Sequence, residues 1–236
     1  KINNHVIYVI MPDKNGSENI GKLINKINEI FSSSKLKGEI IVVDDNSPDG
    51  TWKIVKKLQK KNKNLKLIRR SGKMGLSSAV IEGFKHAKGN ILGVLDADFS
   101  HPPEKIKELV TPILKGEAEI TIGSRYIKGG AIKDWSLKRK IISKGATILA
   151  RPLTPVKDPM SGFFFLKRDV IQSTNLTARG FKILLEILVK GKYEKVKEIP
   201  YTFVNRKEGK SKMDFKEIWN YLIQCMSLYL WKLEGK

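Results

Sequence analysis

Two carboxylates, Asp96 and Asp98, stand two residues apart at the end of an apolar run formed by residues 91–95. Such a run is typical of a strand that is buried on both faces. In a continuing strand, side chains two residues apart share one face, so both carboxylates could bind one divalent cation through oxygen. The alternative is an acid that caps a helix and an acid in a turn ahead of Pro102 and Pro103. The pair alone favours neither interpretation.

The elements that must position this pair alternate regularly along the first half of the chain. Apolar runs predict strands, and apolar residues at helical spacing predict helices between them. The predicted strands cover residues 6–11, 39–43, 65–68, 91–95 and 119–123, and the helices cover 20–31, 52–58, 76–87 and 104–114. This alternation predicts an α/β fold with a mostly parallel sheet and helices on both faces. Ligands of such sheets bind beyond the carboxyl ends of the strands.

Three more acids, Asp44, Asp45 and Asp49, follow the second predicted strand and therefore belong at the same edge. Repulsion between so many carboxylates is costly without a cation, so we predict a divalent metal there. Neither G-x-G-x-x-G nor G-x-x-x-x-G-K-[ST] follows any predicted strand, which disfavours a Rossmann or P-loop nucleotide site.

The composition indicates a globular protein with an anionic partner. Of 236 residues, 41% are hydrophobic, and 45 Lys and Arg against 24 Asp and Glu give a net charge of +21. That charge favours nucleic acid, an anionic membrane surface or a phosphorylated ligand, although a solvated basic surface is the simpler alternative. A single cysteine, Cys225, excludes an internal disulfide. The short apolar run at the N-terminus does not fit a signal peptide, so we expect a cytoplasmic protein or one at the cytoplasmic face of a membrane.

The second half is less regular. The sequence predicts a mobile loop, a basic helix, a buried strand, a short apolar helix, a strand interrupted by Pro200, a basic loop and a final helix. These cover residues 127–136, 137–150, 162–166, 181–189, 196–204, 205–212 and 214–231. The final helix is too short and interrupted for a confident membrane span. Its aromatic residues suit a membrane interface, and packing on the sheet or on a dimer mate is the alternative.

Several segments in order along the chain resemble one family. They are residues 42–51 (VVDDNSPDGT), 95–103 (LDADFSHPP), 123–126 (GSRY), 158–164 (DPMSGFF), Arg139 with Ser143, and Arg206 with 209–212 (GKSK). Together they resemble the family 2 glycosyltransferases of GT-A fold, and more narrowly the dolichyl-phosphate (polyprenyl-phosphate) mannose synthases. The resemblance implies a single GT-A catalytic domain over residues 1–212, followed by an amphipathic, aromatic helix over residues 213–236.

The resemblance also implies roles for residues. Asp98, Arg125 and Arg139 would be catalytic. Asp96, Asp98 and Ser100 would bind Mg²⁺ or Mn²⁺, although Ser100 stands where relatives often have Gln. The lipid phosphate would be bound by Arg125, Arg139 and Ser143. The sugar nucleotide would be bound by Pro12, Val43, Asp44, Asp45, Asp96, Ala97, Asp98, Arg206 and Lys212.

The implied reaction moves mannose, with inversion, from GDP-mannose to dolichyl (polyprenyl) phosphate. The acceptor phosphate is already ionised near neutral pH and needs no general base, whereas a planar guanidinium can hold it in bidentate fashion. The implied partners are these two substrates, an anionic membrane surface and a membrane-anchoring subunit.

Three other functions compete with this one. Lys14 and Gly16 replace the Tyr and Glu that relatives have after the first strand, which leaves room for a glucosyltransferase that uses UDP-glucose. A metal-dependent nucleotidyltransferase would use the same carboxylates. A nucleic-acid-binding protein would interleave basic and aromatic residues on one surface, but the aromatic residues here fall mainly in apolar strands and the last helix, so we predict no nucleic-acid partner.

Overall fold

The computed structural model describes residues 6–13, 16–72, 74–177, 182–204 and 215–235. The strands are β1 (Ile7–Asp13), β2 (Gly38–Asp44), β3 (Leu65–Arg69), β4 (Ile91–Val94), β5 (Ile120–Ser124), β6 (Ala131–Lys133), β7 (Phe164–Lys167), β8 (Val196–Pro200) and β9 (Thr202–Val204). The helices are α1 (Ile20–Ser33), α2 (Thr51–Gln59), α3 (Leu76–His86), α4 (Ile106–Leu114), α5 (Leu137–Ala150), α6 (Ile183–Lys190) and α7 (Phe215–Leu233). Short 3₁₀ turns cover Pro103–Lys105 and Arg168–Val170.

Seven strands form the central sheet in the order β3-β2-β1-β4-β7-β5-β8. Every described pair in it is parallel except the two that involve β7, which runs antiparallel to β4 and to β5. The prediction of a mostly parallel α/β sheet is therefore confirmed. Because β7 is reversed, its first residue, Phe164, pairs with Val94 and Ile122 near the carboxyl ends of their strands.

Apolar side chains cover both faces of the sheet, as expected for parallel strands with helices on each side. On β1, Val9 packs in the cluster that contains α1 and α4, while its neighbour Ile10 packs in the cluster that contains α3 and α6. The alternation follows from the two-residue period of a strand. Glycine serves close packing at Gly93, where a Cβ would come within 2.1 Å of the Phe165 ring.

Three predicted boundaries are wrong in ways that matter for the site. Strand β4 ends at Val94, so Asp96 and Asp98 lie beyond it in a turn and do not continue the strand. The predicted loop 127–136 contains β6, which pairs in parallel with β9 in a separate two-stranded sheet. The strand predicted across Pro200 is two strands, β8 in the main sheet and β9 in the small one. The predicted loop 205–212 lies outside the described residues. The remaining predicted elements are present, with boundaries that shift by at most two residues.

Helix α7 packs on α5 and α6 through a third apolar cluster that includes Tyr221, Cys225 and Leu228. Two tyrosine hydroxyls fix the helix pair: Tyr221 donates to the Ala146 carbonyl at 2.6 Å, and Tyr229 donates to the Leu149 carbonyl at 2.6 Å. Within the described ranges, none of the helices combines the length and apolar character needed to cross a bilayer.

Candidate active site

The turn that follows β4 carries the two central carboxylates. Asp98 Oδ1 accepts hydrogen bonds from the backbone N–H of Ser100 at 3.0 Å and from its hydroxyl at 2.5 Å. Between them Phe99 has φ of +58°, a left-handed conformation that is unusual for a bulky residue and often found at functional sites. The turn therefore gathers Asp98 and Ser100, two of the three predicted metal ligands.

His101 holds the backbone of Asp96, the third predicted metal ligand, in place. The Asp96 backbone N–H donates to His101 Nδ1 at 3.0 Å, so the proton of the neutral ring is on Nε2, which lies 4.0 Å from Asp96 Oδ2. Burial lowers the pKa of His101, although the charges of Asp96 and Asp98 act in the opposite direction. The buried ring stacks on Phe163 with centroids 5.2 Å apart. His101 is thus a neutral positioning residue.

Gly162 keeps the space beside the Asp96 carboxylate open. A Cβ at this position would lie 3.1 Å from His101 Cε1 and 3.6 Å from each Asp96 carboxylate oxygen. In the part of the chain that the structure describes, no group of three or more His, Cys, Asp or Glu side chains could hold a metal. Two carboxylates with an open side suit Mg²⁺ or Mn²⁺, because such ions commonly take their other ligands from substrate phosphates and water.

Asp44 and Asp45, the two acids at the end of β2, have different hydrogen-bond partners. Both Asp45 oxygens are used, Oδ1 by Arg70 Nε at 2.6 Å and Oδ2 by the backbone N–H of Met74 at 3.1 Å. Asp44 is fully buried; its Oδ1 accepts from the Ser47 N–H at 3.0 Å, while its Oδ2 has no partner among the described residues. Asp45 therefore fixes the loop after β3, and Asp44 retains an unsatisfied acceptor.

The loop after β1 is tied to the start of α2. Asp49 Oδ2 accepts from the Ser17 N–H, and Thr51 Oγ1 accepts from the Gly16 N–H, both at 3.0 Å. Burial raises the pKa of Asp49, but hydrogen bonds from Thr51 and Ser17 outweigh burial, so the pKa lies below its usual range. Asp49, which the sequence placed among the edge acids, is therefore a loop-fixing residue.

The other residues predicted to bind the sugar nucleotide lie partly inside and partly outside the described ranges. Pro12 pairs in register with Val43 across β1 and β2, and Ala97 is buried between the two acids of the turn. Arg206 and Lys212 lie outside the described residues, as does Lys14.

Arg125, at the end of β5, forms a buried ion pair with Asp158. Its Nε donates to Asp158 Oδ2 at 2.8 Å, its terminal nitrogen donates to Oδ1 at 2.7 Å, and its backbone N–H donates to Oδ2 at 2.9 Å. Burial disfavours the charged guanidinium, but Asp158 more than compensates and raises the pKa of Arg125. The charge of Arg125 is thus already balanced by a carboxylate.

Arg139 and Ser143 join this cluster from the first turns of α5. The guanidinium carbon of Arg139 lies 4.0 Å from the centre of the Trp135 ring, and that of Arg125 lies 5.5 Å from the same ring. The Tyr126 hydroxyl lies 2.8 Å from Ser143 Oγ. The three residues predicted to bind lipid phosphate are therefore brought together around aromatic rings.

The acid turn and the arginine cluster adjoin through aromatic contacts. The ring of His101 is 5.9 Å from that of Phe203 on β9. The Phe203 ring centre is 5.7 Å from the guanidinium carbon of Arg125 and 6.0 Å from that of Arg139. One site therefore presents carboxylates on one side and guanidinium groups on the other.

A comparison with family models decides the class of protein. Residues 8–174, more than half of the 236, match the model described as glycosyl transferase family 2. The chain belongs to this family. The predicted family membership is confirmed.

Named relatives of this family 2 chain are similar along almost its whole length. It is 47% identical over 232 residues to the dolichol-phosphate mannosyltransferase of Pyrococcus furiosus, covering 97% of this chain and 65% of that protein. It is 42% identical to the dolichol-phosphate mannosyltransferase of Mycosarcoma maydis, covering 94% and 78% respectively. For that of Saccharomyces cerevisiae the identity is 40%, with 95% and 87% covered. The predicted resemblance to this group is confirmed.

Solved structures of lower identity confirm the GT-A type fold. Mannosyl-3-phosphoglycerate synthase from Rubrobacter xylanophilus superposes with a TM-score of 0.70 at 16% identity, covering 98% of this chain and 75% of that one. Glucosyl-3-phosphoglycerate synthase from Mycobacterium tuberculosis, in complex with Mn²⁺, UDP-glucose and phosphoglyceric acid, gives 0.65 at 18% identity, covering 94% and 80%.

Sequence reasoning missed the roles of four residues. Asp158 and Gly162 stand in the segment that carried the resemblance, which was a usable signal. His101 stands three residues after Asp98, and this short spacing was a usable signal as well. Lys182, whose ammonium donates to the Met160 carbonyl at 3.2 Å, gave no signal, because a lysine before an apolar helix is ordinary.

Proposed function

We propose that this family 2 glycosyltransferase moves mannose from GDP-mannose to dolichyl or another polyprenyl phosphate. The observation that carries the proposal is that the Asp96–Asp98 turn and the cluster of Arg125 and Arg139 adjoin through the rings of His101 and Phe203. A reaction between two phosphorylated substrates needs metal-binding carboxylates for the leaving diphosphate and cations for the attacking phosphate. The similar proteins are named dolichol-phosphate mannosyltransferases, which supports mannose as the sugar and dolichol phosphate as its acceptor.

The donor half would be organised by the acid turn. Asp96 and Asp98, with the hydroxyl of Ser100 beside them, would hold Mg²⁺ or Mn²⁺, which as a Lewis acid would lower the cost of charge on the departing diphosphate. His101 holds the Asp96 backbone in place without a charge of its own. Asp44, with its unsatisfied Oδ2, is our candidate for a contact with the nucleoside, and Arg206 and Lys212 are candidates for the phosphates.

The acceptor half would position a nucleophile that is already an anion. A phosphomonoester carries between about −1.5 and −2 charge near neutral pH, so no side chain has to remove a proton. Arg139, stacked on Trp135, presents a planar set of donors that suits bidentate contact with phosphate. The Ser143 hydroxyl adds a short-range donor. In-line attack at the anomeric carbon would then invert its configuration.

Donor selection is the experiment that tests this proposal. GDP release from GDP-mannose should depend on farnesyl phosphate in detergent and on Mg²⁺ or Mn²⁺, and a mannosylated lipid phosphate should form. Equal or faster turnover of UDP-glucose would favour the alternative glucosyltransferase. Release of diphosphate from a nucleoside triphosphate would instead favour the nucleotidyltransferase.

A surface on α5 and α7 suits a membrane carrying the lipid acceptor. Almost all described large apolar side chains that are exposed lie on these two helices, with Met74 and Val204 as the exceptions. They are Leu137, Ile141, Ile148, Leu149, Ile218, Trp219, Leu222, Ile223, Met226, Leu230 and Leu233. Lys138, Lys140 and Lys144 are exposed on α5 among them. Apolar and basic side chains together favour an anionic membrane interface.

We therefore propose that residues 1–212 form the catalytic unit and residues 213–236 contribute to its membrane face, placing the enzyme at the cytoplasmic face of a membrane. A membrane-anchoring partner subunit would add to this attachment. The protein should float with anionic liposomes at low salt. Met226→Glu, in the exposed stripe of α7, should reduce flotation, whereas Ser32→Glu, which adds the same charge to an exposed position on α1, should not. Equal flotation of both variants would contradict this membrane face.

A further inference from the structure

Helix α2, the turn after it and strand β3 carry charge of one sign. Residues 51–70 contain nine Lys and Arg and no Asp or Glu. Arg70 is buried and pairs with the carboxylate of Asp45, and the other eight cations form a surface that we call the basic strip. All of them are exposed except Lys66, which is half-buried. The basic strip consists of Lys53, Lys56, Lys57, Lys60, Lys61, Lys63, Lys66 and Arg69.

Neighbouring acids do not balance the charge of the basic strip. Among the described residues, no carboxylate forms an ion pair with any of its eight members. The Arg69 Nε donates instead to the amide oxygen of Asn46 at 2.9 Å, and its guanidinium carbon lies 3.8 Å from the centre of the Trp52 ring. Like charges this close repel one another, so a polyanion that binds here would relieve the repulsion.

Strand β3 is also the outermost strand of the central sheet on this side. The Arg70 N–H donates to the Asp44 carbonyl on β2 at 2.9 Å. Backbone groups of successive residues in a strand point to alternate sides, so those of Leu67 and Arg69 point away from β2, where no described strand lies. An open strand edge of this kind can accept an extended peptide by main-chain hydrogen bonding.

The surroundings of the strip disfavour a second copy of the chain and a membrane as its occupant. A second copy would bring the same cations to the edge, and like charges on paired strands are destabilising. Helices α2 and α6 pack on opposite faces of the sheet, and α7 packs on α6. A flat membrane that contacts the exposed side of α7 therefore does not cover the strip.

The strip also lacks what a nucleic acid would need. Single strands bind by stacking their bases on aromatic rings along a basic surface. Trp52 is the single aromatic residue in residues 51–70, and the Arg69 guanidinium already stacks on its ring. Lysines outnumber arginines by seven to one, whereas planar recognition of phosphate favours arginine. Flexible point charges beside an open strand edge suit the carboxylates of a polypeptide.

We propose that the basic strip binds an extended acidic segment of a partner protein, which pairs with β3. Main-chain hydrogen bonds to Leu67 and Arg69 would align the segment, and the lysines would select an acidic sequence. The strip contains none of the residues assigned to the donor or the acceptor, so binding there does not depend on the proposed transfer.

The first test measures binding of a fluorescein-labelled peptide of alternating Glu and Val, about ten residues long, by fluorescence anisotropy. The peptide should bind at low ionic strength, and binding should weaken as salt is added. A strip variant should bind at least about tenfold more weakly. A control variant that loses the same charge at exposed positions on other elements should stay within about twofold. The strip variant combines Lys56→Gln, Lys57→Gln, Lys60→Gln and Lys61→Gln, and the control combines Lys85→Gln, Lys88→Gln, Lys115→Gln and Lys192→Gln.

The second test locates the peptide on the unmodified protein by hydrogen exchange. The amides of Leu67 and Arg69 should exchange more slowly when the peptide is bound. Unchanged exchange at both amides, or equal losses of affinity in the strip and control variants, would overturn the proposal. Strip-dependent binding of oligothymidylate or of phosphatidylserine vesicles, without binding of the peptide, would reassign the strip to nucleic acid or membrane. A fall in kcat/KM for GDP-mannose in the strip variant alone would reassign it to the donor.

Discussion

Replacing Asp158 by Asn should destabilise the protein far more than replacing an exposed acid that also pairs with a cation. The change keeps the shape of the side chain but removes the charge that balances Arg125. The carboxylate is 0% exposed and the Arg125 side chain 7% exposed, so water cannot replace the lost partner. Removing one partner of a buried ion pair costs about 3–5 kcal/mol, and the isosteric amide, which keeps one acceptor, should cost about 3.

A loss of about 3 kcal/mol in stability should lower the melting temperature Tm by a measurable amount. For a chain of this size, 1 kcal/mol lowers Tm by about 2–4 °C, so Asp158→Asn should lower Tm by roughly 6–12 °C. Differential scanning calorimetry without ligands would measure it. The matched control is Glu117→Gln, which removes the partner of Lys197 in a pair whose side chains are 45% and 49% exposed. Exposed pairs contribute little, so its Tm should not change measurably. A shift below about 2 °C for Asp158→Asn, or equal shifts for both variants, would refute the buried-pair argument.

Three further predictions concern the acid turn and Lys182. Asp98→Asn should lower kcat for GDP release at least about 10²-fold and abolish its response to Mn²⁺, while the circular dichroism spectrum stays unchanged; full activity would remove Asp98 from the metal site. Gly162→Ala should raise the Mn²⁺ concentration needed for half-maximal activity about tenfold, because its Cβ would lie 3.1 Å from the His101 ring and 3.6 Å from the Asp96 oxygens; an unchanged metal requirement would show that this space is not used. The pKa of Lys182 falls from 10.5 to about 8 on folding, so the unfolded chain binds more protons between these values and stability should rise with pH across that window. Relative to Lys182→Met, the wild-type free energy of unfolding should gain about 3 kcal/mol from pH 8 to 10.5, measured by urea titration, and a constant difference would contradict the lowered pKa.

Local patterns in the sequence were sufficient for most elements that position the site. The basic helix predicted over residues 137–150 has the same bounds as α5. The runs at β1, β2, β4 and β5 were recognised because strands buried on both faces are mostly apolar. The acids that directly follow the runs at β2 and β4 indicated the edge of the sheet at which ligands should bind.

Non-local pairing explains what the sequence could not show. The direction of β7 depends on its fit between β4 and β5, and the run FFFL would look the same in either direction. Strand β6 has three residues, and it exists only because β9 lies beside it. The link between Lys182 and Met160, and that between Asp96 and His101, depend on how the chain turns, which periodicity does not report. The family resemblance gave roles to the arginines, and it included Asp158 in a matching segment without giving a role to that carboxylate.

The reversed course of β7 has a consequence for how this catalyst can diversify. The residues just ahead of Phe164 lie at the edge of the sheet where β4 and β5 end. This later segment therefore reaches the acid turn from the opposite direction. The segment with Asp158 and Gly162 thereby lies beside Arg125 and Asp96, although it follows both of them in the chain. Substitutions just ahead of β7 can therefore alter the surroundings of both the acid turn and Arg125 without changing either of those segments.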